Sequence, residues 1–146
     1  MLRRLNGFFH LPRRKQWMLL EAFCLSGVMR LALLVVPFRR LAVFLGSQAE
    51  ESPWEEDDAR VQVAGEIGRA VETACCFTPW KSKCFIQALT AKIMLRQLGI
   101  ANTLYLGMDR NGRKEIEAHA WLRCGELIVT GGRGRERFTT LGKFTD

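Results

Sequence analysis

Histidine, proline and carboxylates are all scarce in this chain. Its 146 residues include two histidines, four prolines and 15 aspartates or glutamates, against 22 lysines or arginines. With 48% apolar residues and a net charge of +7, the composition excludes a disordered chain and is typical of a basic globular protein. The length predicts one domain, or one domain with an appendage.

The sequence also lacks an even set of cysteines and any C-x-x-C pair. Its five cysteines, at 24, 75, 76, 84 and 124, argue against a secreted disulfide scaffold and for a reducing compartment such as the cytoplasm. Their spacing relative to His119 matches no recognisable zinc site, and there is no glycine loop of the phosphate-binding kind. We therefore expect no metal and no cofactor.

The N-terminal segment, 1–46, is the most apolar part of the chain, yet its pattern does not predict a signal peptide. Glu21 and Arg30 interrupt the apolar run and no small-residue cleavage site follows, which also argues against a membrane-spanning helix. The pattern predicts one long helix that breaks at Pro37 and resumes over 38–45. Because apolar residues surround much of this helix, we expect it to be buried against the rest of the protein, a partner or a membrane surface.

An acidic segment, 47–58, separates this helical region from the remainder of the chain. It holds six of the 15 carboxylates, arranged around Pro53 and Trp54, and leaves nine carboxylates against 22 basic residues elsewhere. We interpret it as a linker between the N-terminal helical segment, 1–46, and a core, 59–146. The basic residues are dispersed over several predicted elements without a recognised motif, so we expect no nucleic-acid partner.

In the core, predicted helices precede predicted strands. The elements are helices over 59–74 and about 83–98, then strands over 101–108, 116–123 and 126–130. Ser82 is placed to cap the second helix and Gly99 to end it, while turns are predicted at 109–112 and 124–125. Helices followed by an antiparallel sheet predict an α+β fold rather than a repeated βαβ unit.

Two residues of this core, Cys84 and His119, are the candidates for chemistry. Cys84 falls in the first turn of the second helix, where unpaired N–H groups and the helix dipole stabilise a thiolate. An imidazole on a neighbouring strand would complete the arrangement of cysteine-nucleophile acyl transfer. Alone, His119 would more often be a satisfied histidine of the sheet, and the 35 positions that separate the pair make their proximity a prediction. His10 is expected on the surface, and the other four thiols are expected to be packing or incidental.

The segments around these two residues are similar to a known family. The similarity lies in the runs WKSKCFIQAL (80–89), MLR (94–96), LYLG (104–107) and AHAWL (118–122). It extends to Pro37 and its successors in the N-terminal helix, to Gly99, and to Gly131 and Gly132 before Phe138. On these residues the chain resembles the transglutaminase-like lasso-peptide leader peptidases, and more narrowly the stand-alone peptidase half of the split lasso-peptide biosynthesis B protein.

The resemblance implies a papain-like or transglutaminase-like core in which Cys84 is the nucleophile and His119 the general base. The reaction would remove the leader peptide from a ribosomally made precursor peptide. The resemblance also implies a separate subunit that binds and presents the leader, and a lasso cyclase that uses the freed amine. Trp80 and Trp121 match motif positions beside the pair, where they would line a substrate pocket or pack in the core.

The residue that orients the histidine is less evident from the sequence. If 124–125 is a two-residue turn, a threonine, Thr130, lies opposite His119, where a catalytic triad would place Asp or Glu. Glu117, on the same strand face, and Glu126, near the turn, are the carboxylate candidates, and a backbone carbonyl is a further option. Loss of a carboxylate orienter costs orders of magnitude in rate, which a slow peptidase that depends on its partner would tolerate.

Two other functions fit the same residues. The Cys84–His119 pair could run an acyltransferase or amidase reaction on another substrate, and no feature of the sequence excludes this. In the non-enzymatic alternative, the basic and apolar segment 1–46 docks on a partner or a membrane surface and Cys84 only packs.

Overall fold

A computed structural model of the chain describes residues 7–48, 50–109 and 116–146. Its helices are α1 (Arg13–Val35), α2 (Phe38–Phe44), α3 (Asp58–Cys75) and α4 (Cys84–Gln97). Its strands are β1 (Ser47–Gln48), β2 (Thr103–Asp109), β3 (Ala118–Cys124), β4 (Leu127–Thr130) and β5 (Phe138–Thr145). The strands pair antiparallel in the order β1-β5-β2-β3-β4, which confirms the predicted α+β class.

The N-terminal helices follow the predicted pattern. α1 ends at Val35, and Pro37 takes the N-cap position of α2, where a fixed φ and a missing N–H do no harm. The side of α1 that carries Ala22 and Ser26 is buried, and α1 packs against α3 and α4. The opposite side of α1 is exposed, so the expected burial against the rest of the protein holds for one face only.

Capping explains where α3 begins and where α4 ends. Asp57 Oδ1 accepts a hydrogen bond from the Ala59 N–H at 3.1 Å, and the acidic residues before α3 favour its N-terminus as predicted. Gly99 adopts a φ of +64°, and the Ile100 N–H donates to the Leu95 carbonyl at 3.0 Å. Gly99 therefore ends α4, also as predicted.

The predicted cap at Ser82 is wrong. α4 begins at Cys84 with Lys83 in the N-cap position, and no side chain caps its first turn. Ser82 Oγ instead shares a hydrogen bond of 2.8 Å with Thr78 Oγ1, and the Ser82 carbonyl accepts from Gln87 Nε2 at 3.1 Å. Ser82 thus orders the loop before α4, and Cys84 becomes the first residue of the helix.

The three predicted strands correspond to β2, β3 and β4, whereas β1 and β5 were not predicted. The predicted register between β3 and β4 is wrong, because the turn lies at 125–126 and Thr130 pairs with Leu122 instead of His119. Val129 is an extra residue between the paired positions, a bulge that shifts the strand. The turn predicted at 109–112 lies, apart from its first residue, outside the described residues.

The core lies between the helices and one face of the sheet. Leu104 of β2 and Leu122 of β3 are fully buried there with residues of α3 and α4. A buried ion pair fixes α4 on the sheet, since Lys92 Nζ lies 2.7 Å from Asp146 Oδ2 and donates to Asn102 Oδ1 at 3.0 Å. Burial lowers the pKa of Lys92, while the Asp146 carboxylate opposes that shift.

The acidic segment 47–58 is anchored on the sheet. β1 pairs with β5, and the buried Ser52 N–H donates to Thr103 Oγ1 at 2.8 Å. The Ser52 carbonyl accepts from Arg123 Nη2 at 2.7 Å. The boundaries proposed for the three segments, 1–46, 47–58 and 59–146, stay predictions.

Candidate active site

His119, the second residue of β3, is held by three neighbours. Its Nε2 lies 2.7 Å from the Gly131 carbonyl oxygen. The Phe138 ring stacks on the imidazole at 4.8 Å between centroids, and the Trp121 ring lies at 5.9 Å. One hydrogen bond and two aromatic rings therefore fix the position and the plane of the imidazole.

The Gly131 contact also decides where the imidazole carries its hydrogen. A carbonyl oxygen can only accept a hydrogen bond, so Nε2 of His119 must be the donor. In the neutral ring the other nitrogen, Nδ1, then has a free lone pair and can accept a proton. This is the tautomer that a general base acting through Nδ1 requires.

Only glycine fits at position 131. Its φ is +72°, in the region that favours glycine, and a Cβ there would lie 2.3 Å from the Ala120 carbonyl oxygen. The lack of a side chain lets the backbone after β4 approach β3 closely enough for its carbonyl to reach His119. The sequence signal for this contact is the Gly131–Gly132 pair that follows the last predicted strand.

Element lengths indicate that Cys84 lies toward the same end of the sheet as His119. The short connection 98–102 makes α4 run back against β2, and a 14-residue helix spans about 21 Å while a seven-residue strand spans about 23 Å. The start of α4 is therefore level with the end of β2 and the start of β3. The thiol is half-buried, and the first-turn N–H groups beside it have no partner within the helix.

The two side chains are not in hydrogen-bond contact in this conformation. α4 packs on the β3 face that carries Ala120 and Leu122. His119 alternates with those residues and so shares the opposite face with Trp121. Within the described residues the Cys84 thiol makes no hydrogen bond, and the catalytic contact between the pair stays a prediction.

None of the three side chains predicted as orienters binds His119 in the described part of the chain. Thr130 is buried opposite Leu122, and its Oγ1 has no hydrogen-bond partner there. Glu117 accepts a hydrogen bond from Arg137 Nη2 at 2.9 Å. Glu126 is exposed in the turn 125–126. The Gly131 carbonyl occupies the position for which these side chains were considered.

The two predicted pocket tryptophans have different surroundings. Trp80 packs on α1, with its ring 5.2 Å from that of Phe23 and against Gly27, where a Cβ would lie 3.1 Å from the indole. Trp121 stacks on Tyr105 at 5.5 Å, beside His119. Of the two, only Trp121 therefore has a described contact with a candidate catalytic residue.

Trp121 also lines a cavity of about 300 Å³ on the His119 face of the sheet. Arg123, which is 1% exposed, closes its floor with hydrogen bonds to Tyr105 Oη at 2.9 Å and to the Gly125 carbonyl at 2.7 Å. The Arg123 guanidinium lies 3.9 Å from the Trp54 ring centroid. The sequence reasoning missed this arginine, because a single basic residue in a strand gives no sign that it will be buried.

The charges around this cavity perturb one carboxylate. The Lys143 ammonium binds Glu51 and lowers the pKa of that carboxyl, and Arg123 acts in the same direction. Among the thiols, burial raises the pKa of Cys75 and that of Cys124. These two thiols are therefore poor nucleophiles.

Comparison with protein families gives one match, to the transglutaminase-like superfamily, over residues 32–143. It runs from the end of α1 into β5 and includes both Cys84 and His119. No curated protein and no solved structure gives a significant match. The superfamily is commonly one of cysteine hydrolases and transferases, so the coarse prediction of a cysteine peptidase or acyltransferase is confirmed. Since the match covers well over half of its length, this chain belongs to the transglutaminase-like superfamily.

Proposed function

We propose that this protein is a cysteine peptidase that removes the leader from a lasso-peptide precursor, with Cys84 as nucleophile and His119 as general base. The observation that carries the proposal is the fixed tautomer of His119. Its Nε2 donates to the Gly131 carbonyl at 2.7 Å, which leaves Nδ1 as a proton acceptor, and Cys84 is the first residue of α4. Superfamily membership supports the same pair.

The reaction uses both residues twice. The mechanism requires the two side chains to meet at the start of β3, because His119 faces away from α4 in the described conformation. The Cys84 thiol then passes its proton to His119 Nδ1, and the sulfur attacks the scissile carbonyl carbon. The first-turn N–H groups of α4 are available to stabilise the oxyanion. The C–N bond then breaks as the imidazolium protonates the leaving amine, which is the new N-terminus of the core peptide. Water, deprotonated by His119, cleaves the thioester, releases the leader as a carboxylate and restores the thiol.

The Gly131 carbonyl acts on His119 as a positioning group. It holds the Nε2–H while the ring is neutral, and it keeps a dipole near Nε2 when the ring becomes positively charged. A neutral carbonyl stabilises an imidazolium less than a carboxylate does, because it lacks the formal negative charge that attracts the ring cation. We therefore expect slow intrinsic turnover, with most of the rate supplied by substrate presentation.

Presentation is assigned to a separate leader-binding subunit, and a lasso cyclase would consume the freed amine. The basic excess of the chain, 22 lysines and arginines against 15 carboxylates, favours encounter with an acidic leader. We place this reaction in the cytoplasm, in keeping with the unpaired cysteines.

The decisive experiment is a cleavage assay followed by mass spectrometry. The protein is incubated with a leader-containing precursor and its leader-binding subunit. Cys84→Ala and His119→Ala should reduce cleavage to background. The matched control is Cys76→Ala, which removes an exposed thiol eight residues before Cys84. Cleavage that persists in Cys84→Ala would show that this thiol is not the nucleophile.

Thiol labelling tests the pair without a substrate. At mildly acidic pH, iodoacetamide should label Cys84 faster than the exposed thiols Cys24 and Cys76. Cys75 and Cys124 should react last, because burial raises their pKa. His119→Ala should slow Cys84 to the rate of the exposed thiols. Equal rates for Cys84 in both proteins would mean that the imidazole does not activate the thiol in the free protein.

The acyl acceptor separates peptidase from acyltransferase chemistry. Both reactions pass through the same Cys84 thioester, which either water or an amine then cleaves. The assay is repeated with added hydroxylamine, and the products are weighed. A leader carboxylate formed without hydroxylamine supports the peptidase, whereas an acyl product that appears only with an amine acceptor supports the acyltransferase.

A further inference from the structure

The outer sides of α1 and α2 present large apolar side chains to solvent. Along α1, Trp17 is 70% exposed, Leu31 62% and Val35 70%. In α2 the same is true of Val43 and Phe44, at 78% and 70%. Folded domains rarely leave a continuous apolar strip of this kind uncovered unless it binds something.

The exposed residues form one strip because they repeat at helical spacing. The intervals between Trp17, Leu20, Val28, Leu31 and Val35 place them on one face of a helix with 3.6 residues per turn. The face opposite holds Ala22 and Ser26, which are fully buried, and packs on α3 and α4. We call this exposed face of α1 the apolar strip.

This packing decides how α1 could meet a membrane. α1 is long and apolar enough to cross one, with a mean hydropathy of 1.9, although core helices and signal sequences pass the same test. Only 11% of its most apolar stretch is buried within the protein. Because its other face is joined to α3 and α4, α1 lies along the body of the protein. It would therefore lie in the plane of a membrane surface with the apolar strip facing the lipid.

Basic residues mark both ends of the apolar strip. Arg13 and Lys15 stand at the start of α1, and Arg39 and Arg40 at the start of α2, all of them exposed. None of these four forms an ion pair with another residue of the described ranges. The one carboxylate of α1 is Glu21. Exposed cations at either end of an apolar helix complement anionic headgroups, while Trp17 suits the interfacial layer.

We propose that the apolar strip binds the surface of an anionic lipid bilayer, with α1 parallel to the membrane plane. The occupant follows from the combination of an exposed apolar face with exposed cations at either end of α1 that form no ion pair within the described residues. The proposal does not depend on the peptidase reaction, and a protein without any catalytic activity would still show it.

Vesicle sedimentation of the full-length protein tests this proposal. The probes are vesicles of phosphatidylcholine alone and of phosphatidylcholine mixed with phosphatidylglycerol. Wild type should bind the anionic vesicles at least about tenfold more tightly than the neutral ones, and salt should weaken the binding. The fluorescence of Trp17 should shift to the blue, and Trp17→Phe should abolish that shift.

Two matched variants distinguish binding through the apolar strip from nonspecific adsorption to vesicles. Leu31→Glu places a charge in the strip, and Leu141→Glu places one on β5 at a site of nearly equal exposure, 60% against 62%. Leu31→Glu should weaken vesicle binding at least about tenfold, whereas Leu141→Glu should leave it unchanged. Arg39→Gln with Arg40→Gln should weaken binding to anionic vesicles only. Circular dichroism checks that every variant is folded.

Three results would overturn the proposal. The first is that wild type binds neither vesicle. The second is that Leu31→Glu binds as well as wild type, which would make the attraction purely electrostatic. The third is that analytical ultracentrifugation shows a dimer that Leu31→Glu dissociates, while vesicles remain unbound. The strip would then be an interface between two copies of the chain.

Discussion

The two faces of the sheet are built on different principles. On the face beneath α3 and α4, Leu104 and Leu122 are fully buried among apolar neighbours. On the other face, His119 and Arg123 are held by hydrogen bonds to backbone carbonyls and by aromatic rings. Apolar burial is non-directional, whereas hydrogen bonds fix a side chain in one orientation. One strand, β3, thus supplies the stability on one side and the candidate chemistry on the other.

The largest expected effect on stability comes from the helix-covered face. Leu122→Ala removes a fully buried side chain and leaves a cavity, so the free energy of unfolding should fall by about 2–5 kcal/mol. Urea denaturation measures the change. The matched control, Leu141→Ala, truncates a leucine that is 60% exposed and should cost within about 0.5 kcal/mol. A similar loss in both variants would mean that β3 is not packed beneath the helices as described.

On the opposite face, Arg123→Met should cost less, about 2–3 kcal/mol. The substitution keeps the apolar stem but leaves the buried Ser52 carbonyl and Tyr105 hydroxyl without their donor. The main consequence should be release of the segment around Trp54, seen as a change in tryptophan fluorescence and faster proteolysis at 50–57. Arg133→Met, at an exposed site, is the control. If 50–57 stays protected in Arg123→Met, the arginine does not anchor that segment.

This difference between the faces also explains what the sequence could predict. Local sequence patterns are sufficient to predict α3, whose predicted range 59–74 agrees with Asp58–Cys75. They are also sufficient to predict the end of α4 at Gly99. They do not decide β5, because its partner β2 lies some 30 residues earlier and its own apolar alternation is broken by Gly142. The register of β4 was predicted wrongly because of the bulge at Val129, which no residue type in the sequence indicates.

The candidate site likewise contains residues that the sequence could predict and a group that it could not. Cys84 and His119 could be chosen from the sequence because thiols and imidazoles are rare and chemically distinct. The partner of His119 could not, because a backbone carbonyl has no residue type of its own. The Gly131–Gly132 pair is visible in the sequence, but the positive φ of Gly131 and its close approach to Ala120 appear only after folding.

Weakening the Gly131 carbonyl should therefore affect chemistry more than folding. Replacing Gly132 by glycolic acid converts the 131–132 amide to an ester, whose carbonyl is a poorer acceptor. A synthetic segment 124–146 can be joined at Cys124. Losing one neutral hydrogen bond should cost about 0.5–1.5 kcal/mol, which corresponds to about a 2–10-fold lower kcat. The pH–rate profile should shift as well, and nitrogen NMR should show more of the Nδ1–H tautomer of His119.

The control for this ester is the same change at Gly134, in an exposed turn. It alters the backbone nearby without touching the His119 contact, so kcat, the pH–rate profile and the tautomer ratio should match those of the all-amide protein. An unchanged tautomer ratio in the 131–132 ester would contradict the positioning role. The proposed roles of Cys84 and His119 would survive that result, because they are tested by their own substitutions.

The smallest expected effect lies at the rim of the His119 face, at the Glu51–Lys143 pair. Because Lys143 lowers the pKa of Glu51, the carboxylate contributes stability above its unfolded pKa of about 4.5, and that contribution is lost as the pH falls through the folded pKa. Both side chains are partly exposed, so Glu51→Gln should cost only about 0.2–1 kcal/mol at pH 7. The difference from wild type should shrink as the pH is lowered below about 4.5, and it should vanish once the folded carboxyl is protonated as well. Glu55→Gln, at a neighbouring exposed carboxylate, is the control and should leave the stability at pH 7 unchanged. A deficit for Glu51→Gln that persists in acid would mean that Glu51 acts through packing on the cavity rim and not through its charge.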